Sequence, residues 1–486
     1  MSNESNQLKS SAFGGAAWKF AERFSAQLVS LVVSIVLARI LMPDDYSVVG
    51  IVNIFFVICN VLIIGGLNTA LIQKKDADTL DYATVLHTTM LMAAVLYGVM
   101  FFCAPPISRL YQKPILVPII RVMSLTFFIN AFKSVLTAYT SSLLDFKKTF
   151  ISAFIGTAVS AAIGITLALN CFGAWALVAQ QMINAAIDTV ILFLITRFRI
   201  VLRFSLNRLK GLFAYGWKIF ASSIITVIYD ECCPLIVGVK FSGADLAYYN
   251  KGKSFPGLLN SSITDTLSAV LFPVIAKVQD DGAAVLAITR RYMKTASYIV
   301  FPLMVGFLTV SENFILVLLT EKWAAAIPYV RIFCLSFMFN IVQIGNLQAI
   351  KAMGRSDIVL VLEIIKKSLY FAIIAAFVFL SDSAQMLAVS SILCTLVACL
   401  VNTWPNRKLI GYKYRYQIMD ILPNLALSVL MGAVVLLVGK LALPRILLLG
   451  VQILTGGCAY VVLSLISKNE NFLYLLGFCK QLLKKK

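Results

Sequence analysis

Apolar residues run along this chain in blocks of about 20, the length a helix needs to cross a bilayer. Turn residues or charge clusters separate the blocks. Read this way, the chain predicts about fourteen spans, near residues 15–40, 48–72, 83–104, 115–138, 150–169, 173–195, 213–239, 247–275, 294–319, 327–350, 358–380, 384–404, 420–439 and 443–466. Some blocks carry charge. The first, Gly15 to Ile40, has Lys19, Glu22 and Arg23 in its opening turns. A charge near mid-bilayer costs roughly 2.5–3.5 kcal/mol, so such groups persist only near an interface or against something wet. On a helix Lys19, Arg23, Gln27, Ser30 and Ser34 are spaced 4, 4, 3 and 4 and make one stripe. Asn53, Asn60 and Asn68 make another on the second span.

The pattern repeats. Adding 199 carries Trp18-Lys19 onto Trp217-Lys218, and adding 200 carries MPDDYSVVG (Met42 to Gly50) onto FSGADLAYYN (Phe241 to Asn250), with Asp45 on Asp245. Further on, RVMSLTFFIN (Arg121 to Asn130) lies on RIFCLSFMFN (Arg331 to Asn340). The seventh span then shows Lys218, Ser222, Thr226, Tyr229 and Cys233 in register, and the eighth shows Lys253, Asn260 and Ser268. Copies separated by six spans share one membrane orientation. The expected architecture is all-α and polytopic: two pseudo-symmetric six-helix lobes, at 1–200 and 201–410, around a central cavity. Residues 411–486 add two further spans and a basic tail. Polar stripes on the first, second, seventh and eighth spans are expected to line the cavity. For single Ser and Asn residues the competing role is a bond between packed helices, and for the long cations it is reaching out to the interface.

Composition agrees with the pattern. The chain is 60% hydrophobic and 13% charged, with a mean hydropathy of +0.90, against about 45–50% apolar usage in soluble domains. Activity must sit in the bundle or on short loops. The net charge of +20 gathers on alternate loops, including Lys74 and Lys75, Lys147 and Lys148, the run from Arg197 to Lys210, and the tail Lys484 to Lys486. This imbalance places both termini in the cytoplasm and accounts for the charge without nucleic acid. The polar opening MSNESNQLKS lacks a cleavable signal, so the first helix is expected to stay as an anchor. Ten cysteines scattered through apolar blocks read as small core residues, and the lone His87 argues against a metal site.

GGAAWKFAERFSAQLVSLVVSIVLARILMPDDYSVVGI, at the start of the chain, and VGVKFSGADLAYYNKGKSFPGL, in its second half, resemble the corresponding segments of bacterial polysaccharide-type (Wzx-like) lipid flippases. These belong to the multidrug/oligosaccharidyl-lipid/polysaccharide exporter superfamily. The resemblance implies translocation of an undecaprenyl-diphosphate-linked oligosaccharide across the bacterial inner membrane, by alternating access around a cationic cavity. O-antigen, capsule, exopolysaccharide and teichuronic-type pathways all remain open, with their polymerase and glycosyltransferases as expected partners. Two turn positions depart from the family pattern, Met42 and Ser47, where glycine is usual.

Under this reading Lys19, Arg23, Lys218 and Lys253 are expected to bind the diphosphate through charge-assisted hydrogen bonds. Gln27, Asn53, Asn60, Tyr229 and Asn260 would meet the sugar, and the last two spans would form a groove for the lipid tail. Asp230, Glu231 and Asp265 are candidates for coupling to H⁺ or Na⁺, unless they form salt bridges to Lys218 or Arg23. Asp188 and Arg121 are weaker entrants that could pair locally or reach the interface. No cofactor is expected. AYYNKGKS (Ala247 to Ser254) approaches a phosphate-binding loop but lacks its first glycine and its strand. A membrane enzyme of polysaccharide assembly would need a long outer loop or a catalytic cluster that the chain does not offer. A cation-coupled drug exporter of the same superfamily and a scaffold for glycan assembly compete with the flippase reading.

Overall fold

The computed structural model describes residues 29, 31–74, 76–143 and 145–473. Regular structure among the described residues is helical throughout. Two compact units divide between Ala247 and Tyr248.

The first unit contains α1 (Leu31–Ile40), α2 (Pro43–Ile64), α3 (Leu67–Gln73), α4 (Thr79–Leu110), α5 (Leu116–Met123), α6 (Thr126–Ser142), α7 (Phe146–Leu169), α8 (Ala174–Thr196) and α9 (Leu206–Lys240). The predicted second span breaks at Gly65-Gly66. Gly66 sits at φ +78°, and a Cβ there would lie 2.1 Å from the Gly216 carbonyl oxygen of α9, so this crossing requires glycine. Leu67, Leu71, Tyr82, Val85, Val135 and Leu212 form the core where α3, α4, α6 and α9 meet. α9 therefore packs with the first compact unit, although the repeat begins a second lobe at residue 201. Contact with α2, α3 and α4 determines the compact unit, whereas the repeat records how the chain is organised.

The second unit holds most of α10 (Gly243–Ala276), then α11 (Gly282–Leu318), a 3-10 turn (Glu321–Ala326), α12 (Ile327–Met338), α13 (Asn340–Ala352), α14 (Ser356–Leu380), α15 (Ala384–Leu409), α16 (Tyr414–Val438) and α17 (Arg445–Ile466). Tyr298, Leu427, Met431 and Tyr460 form a core between α11 and the last two helices.

By length and composition, eleven helical spans among the described residues are apolar enough to cross a membrane. α10 and α14 stand at the predicted eighth and eleventh spans but carry more charge, including Lys251 and Lys253 on one and Glu363, Lys366 and Lys367 on the other. Of the first predicted span only the end is described. Lys19, Glu22, Arg23 and Gln27 lie outside the described residues, as does the side chain of Asp265. The chain is a multi-pass membrane protein, and large exposed side chains such as Leu91, Phe102, Leu400 and Ile466 suit a hydrocarbon surround.

The repeat is visible in the elements. α2 and α10 begin 200 residues apart, at Pro43 and Gly243; α7 and α14 begin 210 apart, at Phe146 and Ser356, as do α8 and α15, at Ala174 and Ala384. The entry turns are capped alike. The Asp45 carboxylate accepts from the Met42 N–H at 3.0 Å, and that of Asp245 from the Ser242 N–H at 3.2 Å. The Ser47 departure has a structural use, for its buried hydroxyl accepts from Lys113 Nζ at 3.0 Å. Both repeat spans that begin near Arg121 and Arg331 are broken, into α5 and α6 and into α12 and α13. AYYNKGKS is helical, so its amides serve the α10 backbone. Cys59, Cys334 and Cys394 are buried as expected, whereas Cys171 and Cys458 are exposed.

Candidate functional site

In the first unit, polar side chains on α2, α6 and α8 converge inside the bundle. On α2, Asn60 donates to the Phe56 carbonyl at 2.9 Å and its side-chain oxygen accepts from Asn130 Nδ2 of α6 at 3.0 Å. One turn beyond Asn130, Lys133 Nζ lies 2.5 Å from an oxygen of Asp188 on α8. Asn68 on α3 donates to the Ser134 carbonyl at 3.1 Å. Counting 1.5 Å per residue from the helix ends at Ser142 and Thr196, Lys133 and Asp188 stand about 12–14 Å in from the ends that bear the basic loops. Both lie well inside helical spans long and apolar enough to cross a membrane.

Local sequence explains the arrangement. Asn130, Lys133 and Thr137 share a face of α6, and Gln180, Asn184 and Asp188 share a face of α8. α7 lets α8 approach closely, since a Cβ at Gly156 would lie 3.0 Å from the Asp188 Cβ. Asp188 is thereby wedged between α7 and Lys133 with its side chain 4% exposed, and its second oxygen is buried with no hydrogen-bond partner. Lys133 keeps 34% of its side chain exposed.

The other sequence-derived candidates are spread more widely. Asn53 is half-buried on α2; Lys218, Ser222 and Thr226 are exposed along one face of α9, with Tyr229 and Glu231 half-buried and Asp230 exposed further along. In the second unit Lys253 is half-buried and Asn260 is buried on α10, its amide oxygen lacking a partner. Asn60 is used as an interhelical bond. Arg121 lies over the Phe101 ring at 4.1 Å. His87 Nδ1 is 2.7 Å from the Ala83 carbonyl of its own helix.

Two charge clusters were not paired from sequence. At the start of α4 the buried Asp81 meets Lys74 Nζ at 2.5 Å and Arg208 of α9 at 3.5 Å, while Arg208 also reaches Asp78 at 3.2 Å. The Asp81 backbone N–H, helped by Arg208 and Lys74, holds the Asp78 carboxyl below its usual range. In the second unit Arg290 of α11 makes a two-pronged bond to the buried Asp420 of α16, at 2.8 Å on each arm. Tyr412 donates to the same carboxylate at 2.8 Å, and burial, then the charge of Asp420, raises the Tyr412 phenol and keeps it a donor. Lys133 had a visible sign, the i, i+3 spacing from Asn130; its partner, 55 residues on, had none.

A family profile described as "Polysaccharide biosynthesis protein" matches residues 36–328. The chain belongs to this family. It is 27% identical over 457 residues to the lipopolysaccharide biosynthesis protein WzxC of Escherichia coli (strain K12), covering 90% of both chains. It is 25% identical over 304 residues to the succinoglycan biosynthesis transport protein ExoT of Rhizobium meliloti (strain 1021), covering 62% of this chain and 61% of the relative. In fold it resembles the lipid II flippase MurJ in an inward closed conformation, with a TM-score of 0.77 and 14% identity over 93% of this chain and 98% of that one. An inward-facing multidrug resistance MATE transporter gives a TM-score of 0.59 at 14% identity, over 81% and 99%. The expected membership of a polysaccharide biosynthesis family therefore holds, and the fold is shared with the flippase and the transporter just named.

Proposed function

We propose that this chain is a flippase that carries an undecaprenyl-diphosphate-linked oligosaccharide across the bacterial cytoplasmic membrane for surface polysaccharide synthesis, by alternating access with both termini in the cytoplasm. The observation that carries the reading is the Lys133, Asp188, Asn60 and Asn130 cluster inside spans apolar enough to cross a membrane, in a chain of the polysaccharide family. A membrane protein keeps ionised groups at that depth for a polar cargo or an ion, and amide side chains beside them suit hydroxyl-rich sugars. The names of the relatives support a precursor of this class.

Within this proposal Lys19, Arg23, Lys218 and Lys253 bind the diphosphate, and Gln27, Asn53, Asn60, Tyr229 and Asn260 contact the glycan. Asp230, Glu231 and Asp265 carry coupling to H⁺ or Na⁺. The test is a leaflet assay in proteoliposomes holding a fluorescent undecaprenyl-diphosphate oligosaccharide. Protein must speed its exchange between leaflets, and Arg23→Ala or Lys218→Ala must abolish that gain at matched protein levels. If the wild-type protein left exchange at the protein-free rate while extruding a cationic drug under an ion gradient, the exporter reading would replace this one.

A further inference from the structure

The geometry points to Lys133 as an anion site in the first unit that Asp188 masks at rest: an incoming phosphate or diphosphate displaces the carboxylate from Lys133, and Asp188 then takes up a proton from solution. This rests on the proposed function and names a residue and an exchange step for it. Three observations carry it.

The pair is lopsided. Lys133 keeps 34% of its side chain exposed while Asp188 keeps 4%, so of the two partners the cation is the one open to its surroundings. A partly open cation at this depth requires a wet surface beside it. Next, one Asp188 oxygen is buried without a partner. An unsatisfied buried acceptor costs about 1–3 kcal/mol, so this carboxylate is held below its full complement of bonds. Among the described residues Lys133 supplies the ion pair of Asp188, so its loss takes that counter-charge from the carboxylate, and a buried lone charge neutralises. Finally, the repeat makes the pair specific to one half. Moving 210 residues along, the offset of α8 and α15, brings Lys133 onto Gln343 and Asp188 onto Ala398. The same move brings Asn130 onto Asn340, which accepts from Gln343 at 2.6 Å. The asparagine is duplicated, but the ion pair is not.

The helices packed against α8 are α2, α5, α6 and α7. Their charged or titratable groups among the described residues, besides Lys133, are Asp44, Asp45, Tyr46 and Cys59 on α2, Arg121 on α5, Tyr139 on α6, and Lys147 and Lys148 on α7. Of these cations Lys148 pairs with Asp145, and Arg121 stacks on Phe101. Lys133 alone among them forms an ion pair with Asp188 in the described residues.

The test uses the purified full-length protein in nanodiscs, titrated with inorganic pyrophosphate in weakly buffered solution while a pH indicator counts protons. Wild type should take up about one proton per anion bound. Asp188→Asn, which unmasks the cation, should bind at least about tenfold tighter and take up none, a gain that a purely structural pair would not show. Lys133→Arg should retain binding, and Lys133→Gln should lose it. Because Lys133→Gln strands a buried carboxylate, the double variant Lys133→Gln with Asp188→Asn provides the folded control and must also bind weakly. Binding by the double variant equal to wild type, unchanged affinity in Asp188→Asn, or no pyrophosphate binding by wild type overturns the site. Nanodiscs doped with undecaprenyl diphosphate separate the sources: competition with pyrophosphate at Lys133 identifies a lipid headgroup, and its absence alongside pyrophosphate binding identifies a soluble anion. A positive pyrophosphate result with a negative leaflet assay would remove the flippase reading and leave this site standing.

Discussion

α4 and α11 occupy matching places in the repeat, with ends at Leu110 and Leu318 and glycines at Gly98 and Gly306, each pair 208 residues apart. Their surroundings differ. α4 presents Leu91, Val95, Val99 and Phe102 as an exposed apolar row. α11 is covered by α16 and α17, and its contact face is tied by polar groups. Asn424 donates to Ser297 at 2.7 Å, Tyr298 donates to Ser464 at 2.8 Å, and Asn313 donates to Gln452 at 2.8 Å. Duplication preserved the helix, while the side chains followed what each copy touches. Hydrocarbon offers no hydrogen bonds, so a face open to it stays apolar, whereas a helix-covered face can hold polar ties. Both helices are anchored at their start by a buried aspartate. In α4 it is the helix's own Asp81, and in α11 it is Asp420 of the covering helix.

The largest test of this contrast is Arg290→Ala, which leaves Asp420 buried without its two-pronged partner. A loss of roughly 2–4 kcal/mol, discounted because Arg290 is partly exposed, should appear as a marked fall in Tm in detergent. An unchanged Tm would mean that the Arg290–Asp420 pair does not help hold α16 to α11. The paired glycines come next. The Met431 methyl lies 3.5 Å from where a Cβ at Gly306 would sit, whereas the space beside Gly98 is open. Gly306→Leu should cost roughly 1–3 kcal/mol, and Gly98→Leu should be neutral or slightly stabilising; equal effects would erase the contrast. Tyr298→Phe should cost about 1 kcal/mol through the lost bond to Ser464, read from thermal unfolding against a Leu91→Ala control on α4. The smallest effect concerns pH. The depressed Asp78 carboxyl adds stability that is complete above the ordinary carboxylate value of about 4 and disappears as pH falls through the lower folded value. Asp78→Asn should therefore lower Tm slightly at neutral pH and flatten its fall on the acid side, so that the two curves meet at low pH, and a gap that persists unchanged into acid would contradict the assignment.

Much of the fold was legible because a membrane span announces itself. Apolar length is local, and so are entry caps such as Asp45 and Asp245, so the order of helices and the duplication could be read directly. The breaks at Gly65-Gly66 and between α5 and α6 were less visible, since apolar character continues through them. For the candidate site, the stripe on α2 could be seen, but Asn60 turned out to bond Asn130 across the bundle. Lys133 escaped notice because a single cation in an apolar block is compatible with several partners.

Sequence alone determined the membrane class, the helical order, the repeat and the sidedness bias, because each depends on residue type and spacing over one or two spans. Tertiary structure decided that Asp188 meets Lys133, that Asp420 meets Arg290 130 residues away, and that α9 packs with the first compact unit. The physical reason is that every helix has several faces with similar local claims to burial. Only close packing, set by small groups such as Gly66 and Gly156, decides which charged face meets which.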